Sequence, residues 1–347
     1  MQIMEEPIVL TGGAGFIGSH IIRRLLNDGA SNVKRQIVCV DVINDYYDPR
    51  IKRMNRSLFV NDPRLAFLKA DIVLSQTRDR IMRKIRTKKI FAIIRVAAQP
   101  GVRYSIDHPY EVLKINTIGT YNMLELARQL DAEVFVNASS SSVYGSSKEL
   151  PLREGSGFGF NYGPGKKQAS PTLPIAPYGA SKLAAEHLVR NYSELYGFRA
   201  VNFRYFTVFG PRMRPDLAIN IFTKAALVNK PIRIFGSGDK TRDFTYIDNI
   251  VDGTIKALHR GRGTYNLGCG KRTTISELAR KIIKFTHSKS KIIYSKNAPG
   301  DMEHTLADIS KAKRELGYKV KVDLAEGLRR YIEWVKSPEG KRYSRLG

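Results

Sequence analysis

Over the first 206 residues, short runs of apolar residues alternate with segments whose apolar residues recur every three or four positions. The runs predict buried strands, and the wider spacing predicts amphipathic helices between them. Strands are expected at residues 8–10, 36–41, 65–69, 90–95, 133–137 and 199–206. Because strands that alternate with helices form a parallel sheet covered on both faces, we predict an α/β fold with a doubly wound, Rossmann-type sheet.

After residue 206 this regular alternation breaks down. Short strands are expected at 232–235, 264–267 and 291–294, and helices near 248–259, 274–286 and 323–335. We predict a smaller α/β substrate domain that packs over the carboxyl ends of the first sheet. The expected division is residues 1–206 and 207–347, with a discontinuous boundary. Residues 145–177 are rich in Gly, Pro and Ser and predict a long loop, which in a compact domain is often a lid or a binding loop.

A glycine-rich turn joins the first strand to the first helix. Gly12, Gly15 and Gly18 are spaced so that the backbone can approach a pyrophosphate, and the helix that follows offers free N–H groups. Asp41 ends the second strand, where it would accept ribose hydroxyls and repel a 2′-phosphate. The pattern predicts a site for NAD rather than NADP. The alternative is an ordinary glycine-rich turn of a doubly wound fold with no ligand.

Tyr178 and Lys182 are four residues apart on a predicted helix, so both lie on one helix face. A free tyrosine has a pKa near 10 and is a poor base at neutral pH, but a close ammonium and an oxidised nicotinamide ring would both favour the phenolate. The spacing is common by chance. The Tyr178–Lys182 pair is significant because a glycine turn lies upstream and because four serines, residues 139–142, lie at the end of a predicted strand.

These motifs together resemble those of the extended short-chain dehydrogenases/reductases, in the nucleotide-sugar epimerase and dehydratase group. The resemblance covers nearly the whole chain, to about Trp334. It implies that Tyr178 is the catalytic base and that Lys182 holds the nicotinamide ribose. It also implies that Ser140 forms a hydrogen bond with the 4-hydroxyl of the sugar. Dehydratases of this group carry an acid just after that serine. The serines at 141 and 142 therefore favour an epimerase.

Several stretches resemble UDP-glucuronate 4-epimerases in particular: residues 97–105, 204–216, 242–248, and 299–301 followed by 307–311. The resemblance implies that the protein converts UDP-glucuronate to UDP-galacturonate through a 4-keto intermediate, with tightly bound NAD and no metal. Arg95 stands where the group usually has His, and Pro100 where Ala is common. Both departures concern local contacts rather than the fold.

The resemblance and the strand ends together define the predicted site. For the cofactor the predicted residues are Gly12, Gly15, Phe16, Ile17, Gly18, Asp41, Asn44, Asp71, Ile72, Ala97, Ala98, Gln99, Asn116, Tyr178 and Lys182. For the substrate they are Arg103, Ser141, Ser142, Thr207, Arg214, Arg242 and Asp301. Among these, the resemblance assigns the diphosphate to Arg242 and the uridine ribose to Asp301. The hydroxyls of Ser141, Ser142 and Thr207 would bind a sugar carboxylate through neutral hydrogen-bond donors, with less positive charge nearby than a cluster of cations would bring.

Composition adds constraints on location and partners. The formal net charge is +26. It fits a solvated basic surface, the steering of a polyanionic substrate, or non-specific nucleic-acid binding. The densest basic run, residues 78–89, has no interleaved aromatic residues, so we expect no specific nucleic-acid partner. Two cysteines indicate a reducing compartment. No signal peptide and no apolar run of about 18 residues is evident, so a soluble, cytoplasmic protein without a membrane partner is expected.

Other functions remain open from the sequence. A UDP-glucose or UDP-N-acetylglucosamine 4-epimerase would need the same arrangement of cofactor-binding and catalytic residues. A nucleotide-sugar dehydratase or decarboxylase is a further alternative, and so is a dinucleotide-binding scaffold that lacks activity. The helices expected at 110–130 and 177–196 resemble the pair that forms a four-helix dimer interface in this family, which implies a homodimer.

Overall fold

The computed structural model describes residues 5–27, 35–85, 87–155, 170–296 and 302–346. The strands are β1 Ile8–Thr11, β2 Ile37–Asp41, β3 Leu65–Lys69, β4 Ala92–Arg95, β5 Val134–Ser140, β6 Arg199–Tyr205, β7 Thr207–Phe209, β8 Ile232–Phe235, β9 Thr241–Arg242, β10 Phe244–Tyr246, β11 Gly263–Leu267, β12 Thr273–Thr274 and β13 Ile292–Ser295. The helices are α1 Phe16–Asn27, α2 Pro49–Arg56, α3 Gln76–Ile85, α4 Tyr104–Asp107, α5 Pro109–Leu113, α6 Gly119–Gln129, α7 Pro177–Tyr196, α8 Ala218–Leu227, α9 Ile247–Lys256, α10 Ile275–Thr286, α11 Ser310–Leu316, α12 Leu324–Lys336 and α13 Pro338–Ser344.

Seven strands form one parallel sheet in the order β3–β2–β1–β4–β5–β6–β11. The strand order changes direction between β1 and β4. In an open α/β sheet, ligands bind outside the carboxyl ends of the strands at this point. Two buried apolar clusters cover the two faces of the sheet. The predicted doubly wound, Rossmann-type fold is confirmed.

Strand β11 belongs to the main sheet rather than to the smaller domain that the sequence predicts for it. It runs parallel to β6, in register from Gly263 opposite Val201 to Leu267 opposite Tyr205. Three two-stranded sheets, β7 with β10, β9 with β12 and β8 with β13, also form after residue 205. The chain therefore returns to the first sheet after leaving it, and a division into domains at residue 206 would have to be discontinuous.

The expected helix at 110–130 is interrupted by a π-helical turn, Lys114–Ile118, between α5 and α6. Such single turns insert one residue into the helix and commonly occur at functional sites. Here the extra residue turns Asn116 into the protein, where it is fully buried. The helical spacing of apolar residues continues through this turn, so the sequence pattern does not reveal it.

Local signals in the sequence explain where several helices begin and end. Pro177 opens α7, and Gly197 ends it with a left-handed φ of 80°. Thr274 caps α10 by accepting a hydrogen bond from the Glu277 backbone at 3.0 Å. Asp323 caps α12 in the same way through Glu326, at 2.9 Å. Both are capping sequences with an acid three residues after the cap.

Helix α3 lies in the basic run and presents its apolar side to the core. Ile81 and Ile85 are buried, whereas Arg80, Arg83 and Lys84 are exposed. The basic run therefore forms the outer face of a packed helix. Across the described residues, no helix combines the length and the apolar character needed to span a membrane.

Candidate active site

Two adjoining cavities lie at the carboxyl ends of the parallel strands. The first has a volume of about 370 Å³ and the second about 550 Å³. Their walls share several residues, among them Tyr46, Tyr178 and Arg214. The two cavities therefore form one cleft, with Tyr178 where they meet.

The cleft brings together almost all of the predicted site residues. The first cavity is lined by Gly12, Gly15, Phe16, Ile17, Gly18, Asp41, Asn44, Asp71, Ile72, Ala97, Ala98, Gln99, Tyr178 and Lys182. The second is lined by Arg103, Ser140, Ser141, Ser142, Thr207, Arg214 and Arg242. Asn116 lines neither cavity, and Asp301 lies outside the described residues.

The glycine turn leaves room for backbone only. Gly12 has a φ of 77°, a conformation that favours glycine, and a Cβ there would come within 2.6 Å of the Ala97 nitrogen. A Cβ on Gly18 would collide with the Gly12 carbonyl. The amino end of α1 therefore closes tightly on β1, and its free N–H groups face the first cavity.

Asp41 is fixed at the end of β2 by the turn itself. One carboxylate oxygen accepts a hydrogen bond from the Ala14 nitrogen at 3.0 Å, and the other from the Ile43 nitrogen at 2.8 Å. The carboxylate lines the first cavity. It offers an acceptor for ribose hydroxyls and a negative charge that opposes a 2′-phosphate.

Gln99 has a buried side-chain amide that suits a polar ligand. The residue is 1% exposed and lines the first cavity. Neither its amide oxygen nor its amide nitrogen has a partner among the described residues. A buried amide with no partner is costly, and a ligand that both donates and accepts would relieve that cost. Together with the glycine turn and Asp41, this amide fits an adenine dinucleotide such as NAD.

Asn116 holds the backbone of Gln99 from inside the protein. Its side chain accepts from the Gln99 nitrogen at 2.8 Å and donates to the Gln99 oxygen at 3.1 Å. It also donates to the Ser181 hydroxyl at 2.9 Å. All three bonds lie inside the protein, so Asn116 holds the Gln99 backbone beside the first cavity. Its contact with the cofactor stays a prediction.

Tyr178 lies deep in the cleft with a raised pKa. Burial is the largest cause, and the charge of Arg214, a hydrogen bond with Ser140 and the charge of Arg95 act against it. Lys182, which the sequence predicts to favour the phenolate together with an oxidised nicotinamide ring, is not among these groups. The charges of Arg214 and Arg95 favour the phenolate.

Lys182 is itself buried and held by the backbone. Its Nζ donates to the Ala138 carbonyl at 2.8 Å and lies 5.8 Å from the centre of the Tyr178 ring. Burial lowers its pKa well below the ordinary value, and Arg95 lowers it further, whereas Glu186 raises it. The Lys182 side chain thus lies on the wall of the first cavity beside the phenol.

The serine run turns the end of β5 into a set of hydroxyl groups. Ser140 accepts a hydrogen bond from the Ser142 nitrogen at 3.1 Å and donates to the Ser142 hydroxyl, also at 3.1 Å. Ser139 instead points inward, where it donates to Glu186, which forms a buried ion pair with Arg204 at 2.8 Å. Ser140, Ser141 and Ser142 therefore face the second cavity from a rigid base.

Several residues of the cleft escape identification from the sequence. Tyr46, Tyr47 and Lys52 line the first cavity, and Lys52 donates to the Asn44 side chain. The run 45–49 predicts only a turn or a helix start. Asp48 does cap α2 there, and this cap places Lys52 one turn into the helix. A lysine in a basic chain carries no sequence signal that separates it from the surface lysines.

Comparison with known proteins identifies the family. A family model described as GDP-mannose 4,6 dehydratase matches residues 9–331. A UDP-glucuronate 4-epimerase of Thermodesulfobacterium geofontis is 36% identical, over 94% of this chain and 95% of that protein. A putative UDP-glucose 4-epimerase of Methanocaldococcus jannaschii is 33% identical, over 95% of this chain and 98% of that protein.

A solved structure matches the fold over nearly its full length. The crystal structure of UDP-glucuronic acid 4-epimerase from Bacillus cereus, in complex with UDP-glucuronic acid and NAD, has a TM-score of 0.83. It is 32% identical in sequence, and the match covers 95% of this chain and 99% of that chain. The resemblance stated from the motifs is thus confirmed for the family and for the fold.

Proposed function

Because the chain belongs to the GDP-mannose 4,6-dehydratase family of extended short-chain dehydrogenases/reductases, we propose that it is an NAD-dependent UDP-sugar 4-epimerase. Its substrate is UDP-glucuronate and its product UDP-galacturonate. The observation that carries the proposal is the position of Tyr178, where a cavity suited to a dinucleotide meets a second cavity lined by serine hydroxyls.

NAD, when bound in the first cavity, supplies a hydride acceptor and returns the hydride later. The chain's own residues do the acid–base work. The Tyr178 phenolate removes the proton of the sugar 4-hydroxyl, and Ser140, which lines the same cavity as Tyr178, orients that hydroxyl. When the 4-keto sugar has presented its other face, the same phenol returns the proton. Gln99 and Lys182 hold the cofactor side of the cleft.

The hydroxyl-rich second cavity supports a sugar acid as substrate. Ser141, Ser142 and Thr207 can each donate to a carboxylate, and Arg214 lies beside them with its charge balanced by Asp216. Hydroxyl donors bind the carboxylate without adding a strong positive charge close to C4. Since such a charge would favour loss of carbon dioxide from a 4-keto sugar acid, this arrangement favours epimerisation over decarboxylation.

Cations further along the second cavity support a diphosphate. Arg103, Arg233, Lys240 and Arg242 all line it. Guanidinium groups match the geometry of phosphate oxygens, so we assign the nucleotide diphosphate to this end of the cleft, with Arg242 as its main contact. A substrate domain built from residues 207–347, apart from β11, would supply most of these groups.

Exposed apolar residues on α5, the π-helical turn, α6 and α7 support a homodimer. They are Tyr110, Leu113, Ile118, Tyr121, Leu195 and Tyr196. A shared helical face of this kind suits a four-helix interface between two copies. A reducing, cytoplasmic location also stays a prediction, supported by the free, buried thiols of Cys39 and Cys269.

A UDP-glucose 4-epimerase is the second candidate, favoured by the Methanocaldococcus jannaschii relative. Product analysis distinguishes the two. The purified protein is incubated separately with UDP-glucuronate and with UDP-glucose, and the epimers are resolved by chromatography. We expect UDP-galacturonate to form and UDP-galactose to form much more slowly. Faster turnover of UDP-glucose would overturn the sugar-acid assignment, and no turnover of either would overturn the epimerase.

A further inference from the structure

The substrate loop, residues 210–217 between β7 and α8, carries Arg214 and Asp216 on the wall of the second cavity. Arg212 belongs to the same loop but is 4% exposed and lines neither cavity. Its φ of 64° is left-handed, a conformation that arginine rarely adopts and that surrounding contacts have to hold. The loop thus turns at Arg212, whose side chain enters the protein while Arg214 remains at the cleft.

The Arg212 side chain joins the substrate loop to α2. Its Nη1 donates to the side-chain oxygen of Asn55 at 3.1 Å and to the Met54 carbonyl at 3.2 Å. Asn55 is fully buried, and a buried amide oxygen needs a donor. Arg212 supplies that donor, so removal of its side chain would leave the amide oxygen of Asn55 without this partner.

Asn55 in turn holds the glycine turn of the first cavity. Its Nδ2 donates to the Ala14 carbonyl at 3.0 Å, and the Ala14 nitrogen donates to the Asp41 carboxylate, also at 3.0 Å. Ala14 lies directly before Gly15, which lines the first cavity together with Asp41. A continuous chain of hydrogen bonds therefore runs from Asp41 through the glycine turn and Asn55 to Arg212.

Helices α1 and α13 hold the substrate loop from its other sides. The Tyr343 hydroxyl of α13 donates to the Arg212 carbonyl at 2.6 Å, and Glu339 forms an ion pair with the Arg212 guanidinium. His20 of α1 donates to the Pro211 carbonyl at 2.9 Å. The loop is therefore fixed at its backbone as well as through the Arg212 side chain.

We propose that Arg212 is a positioning residue that fastens the substrate loop, and with it Arg214, to the dinucleotide-binding turn. The inference rests on the proposed function, in which the glycine turn holds NAD and Arg214 lies beside the sugar. Arg212 acts through Asn55 and the loop backbone, because it lines neither cavity. Hydride transfer needs the two ligands in one fixed arrangement, so a rigid connection between the two walls favours the reaction.

Arg199 provides a matched comparison, because it also holds backbone carbonyls but away from the cleft. Its Nη1 donates to the Ala257 carbonyl and its Nη2 to the Leu258 carbonyl, both at 2.6 Å. These bonds join β6 to the end of α9, and Arg199 lines neither cavity. Loss of the Arg199 side chain should therefore lower stability without changing how either ligand is held.

The test compares the wild type with Arg212→Met and Arg199→Met, well below the thermal midpoint of each protein. Methionine keeps an apolar stem of similar length and removes every donor. The rate of NAD loss is followed by gel filtration at timed intervals, and KM for UDP-glucuronate is measured with NAD added. We expect Arg212→Met to lose NAD about tenfold faster and to raise KM about tenfold, because a buried partner is left unsatisfied. Arg199→Met should match the wild type in both.

Unchanged NAD loss and KM in Arg212→Met would overturn the proposal. Equal changes in Arg212→Met and Arg199→Met would also overturn it, since a general loss of stability would then explain both. Should Arg212→Met fail to fold, Arg212→Gly replaces it, because glycine adopts the positive φ without strain while it lacks the side chain. The same changes are expected of Arg212→Gly, and their absence would be equally decisive.

A double variant tests the route through Asn55. If Arg212 acts on the glycine turn through this side chain, Asn55→Ala alone should already speed NAD loss. Adding Arg212→Met to Asn55→Ala should then change the rate by less than about twofold, because the connection is already broken. A further tenfold increase in the double variant would show that the two residues act independently, and the proposal would fail.

The proposed function can fail separately from this inference. If the wild type retains NAD but turns over no UDP-sugar, the epimerase assignment is wrong, and the rates of NAD loss still decide the role of Arg212. A wild type that holds no NAD would overturn both, because the glycine turn would then not be a dinucleotide site.

Discussion

Arg214 and Asp216 form a two-pronged ion pair at the junction of the two cavities. Arg214 Nε donates to one carboxylate oxygen of Asp216 at 2.9 Å, and Nη2 to the other at 2.8 Å. Burial alone would lower the pKa of Arg214, but the pair more than offsets it and raises that pKa. Arg214, which lines both cavities, is therefore permanently charged and partly neutralised by Asp216.

Asp216→Asn should increase decarboxylation. Without the carboxylate, the full charge of Arg214 acts on Tyr178, which in the proposed mechanism contacts the oxygen at C4. That charge would stabilise the enolate that forms when carbon dioxide leaves. We expect the ratio of carbon dioxide to epimer to rise a few-fold with UDP-glucuronate, measured by trapping labelled carbon dioxide. Asp62→Asn removes a pair of the same geometry, with Arg64 at 2.7 Å, on the far surface. It should leave the ratio unchanged, and an equal ratio in all three proteins would count against the charge-balance argument.

Gly18→Ala should abolish retention of the dinucleotide. The added methyl would collide with the Gly12 carbonyl, which must shift and open the turn between β1 and α1. We expect a loss of about 2 kcal/mol or more in the free energy of unfolding, and little bound NAD after purification. The measurement is the absorbance of extracted dinucleotide together with the thermal midpoint.

Gly197→Ala is the control, because it adds backbone strain but no steric collision. Gly197 also has a positive φ, of 80°, but nothing lies within 4 Å of the position that an added methyl group would take. It should cost about 1 kcal/mol and leave the bound NAD at the wild-type amount. Full NAD retention by Gly18→Ala would show that the turn does not form the proposed cradle.

Stability should fall between about pH 6.5 and pH 4 because of His20. Burial lowers the pKa of this histidine from 6.5 to about 4, although its Nε2 donates to the Pro211 carbonyl at 2.9 Å. The unfolded chain binds a proton at a higher pH than the folded chain does. The stabilisation is therefore complete above pH 6.5 and is lost as the pH falls toward 4, by at most about 3 kcal/mol.

The His20→Gln variant isolates this effect. It should show a flatter curve of unfolding free energy against pH in that range, determined by urea titration. The loss of unfolding free energy that the substitution causes at about pH 8 is the part of its effect that does not depend on pH. Parallel curves for the two proteins across the range would contradict the assignment.

The sequence predicts the parts of the fold and site that depend on local patterns. The glycine turn, Asp41 at the end of β2, the serine run and the Tyr178–Lys182 pair each follow from residues near one another in the chain. Their meeting in one cleft follows from the general rule that parallel strands align their carboxyl ends. Capping residues such as Thr274 and Asp323 also specify helix starts locally.

The remaining features depend on distant contacts. Nothing in the residues of β11 specifies β6 as its partner, because a short apolar strand fits a second sheet equally well. The π-helical turn at Lys114–Ile118 preserves the apolar spacing and leaves no trace in it. Arg95 resembles an ordinary strand-end residue in a chain with many basic side chains. Its burial depends on Asn116 and Asn137, which come from two other elements.

The central claim is that Tyr178 is the base of a UDP-sugar 4-epimerase, and Tyr178→Phe tests it most directly. The variant and the wild type are assayed with UDP-glucuronate, and bound NAD is extracted from each. Tyr294→Phe, at a half-exposed tyrosine that lines neither cavity, is the control. We predict that Tyr178→Phe retains NAD but loses activity by about a thousandfold, while Tyr294→Phe matches the wild type. Epimerisation by Tyr178→Phe at the wild-type rate would contradict the account.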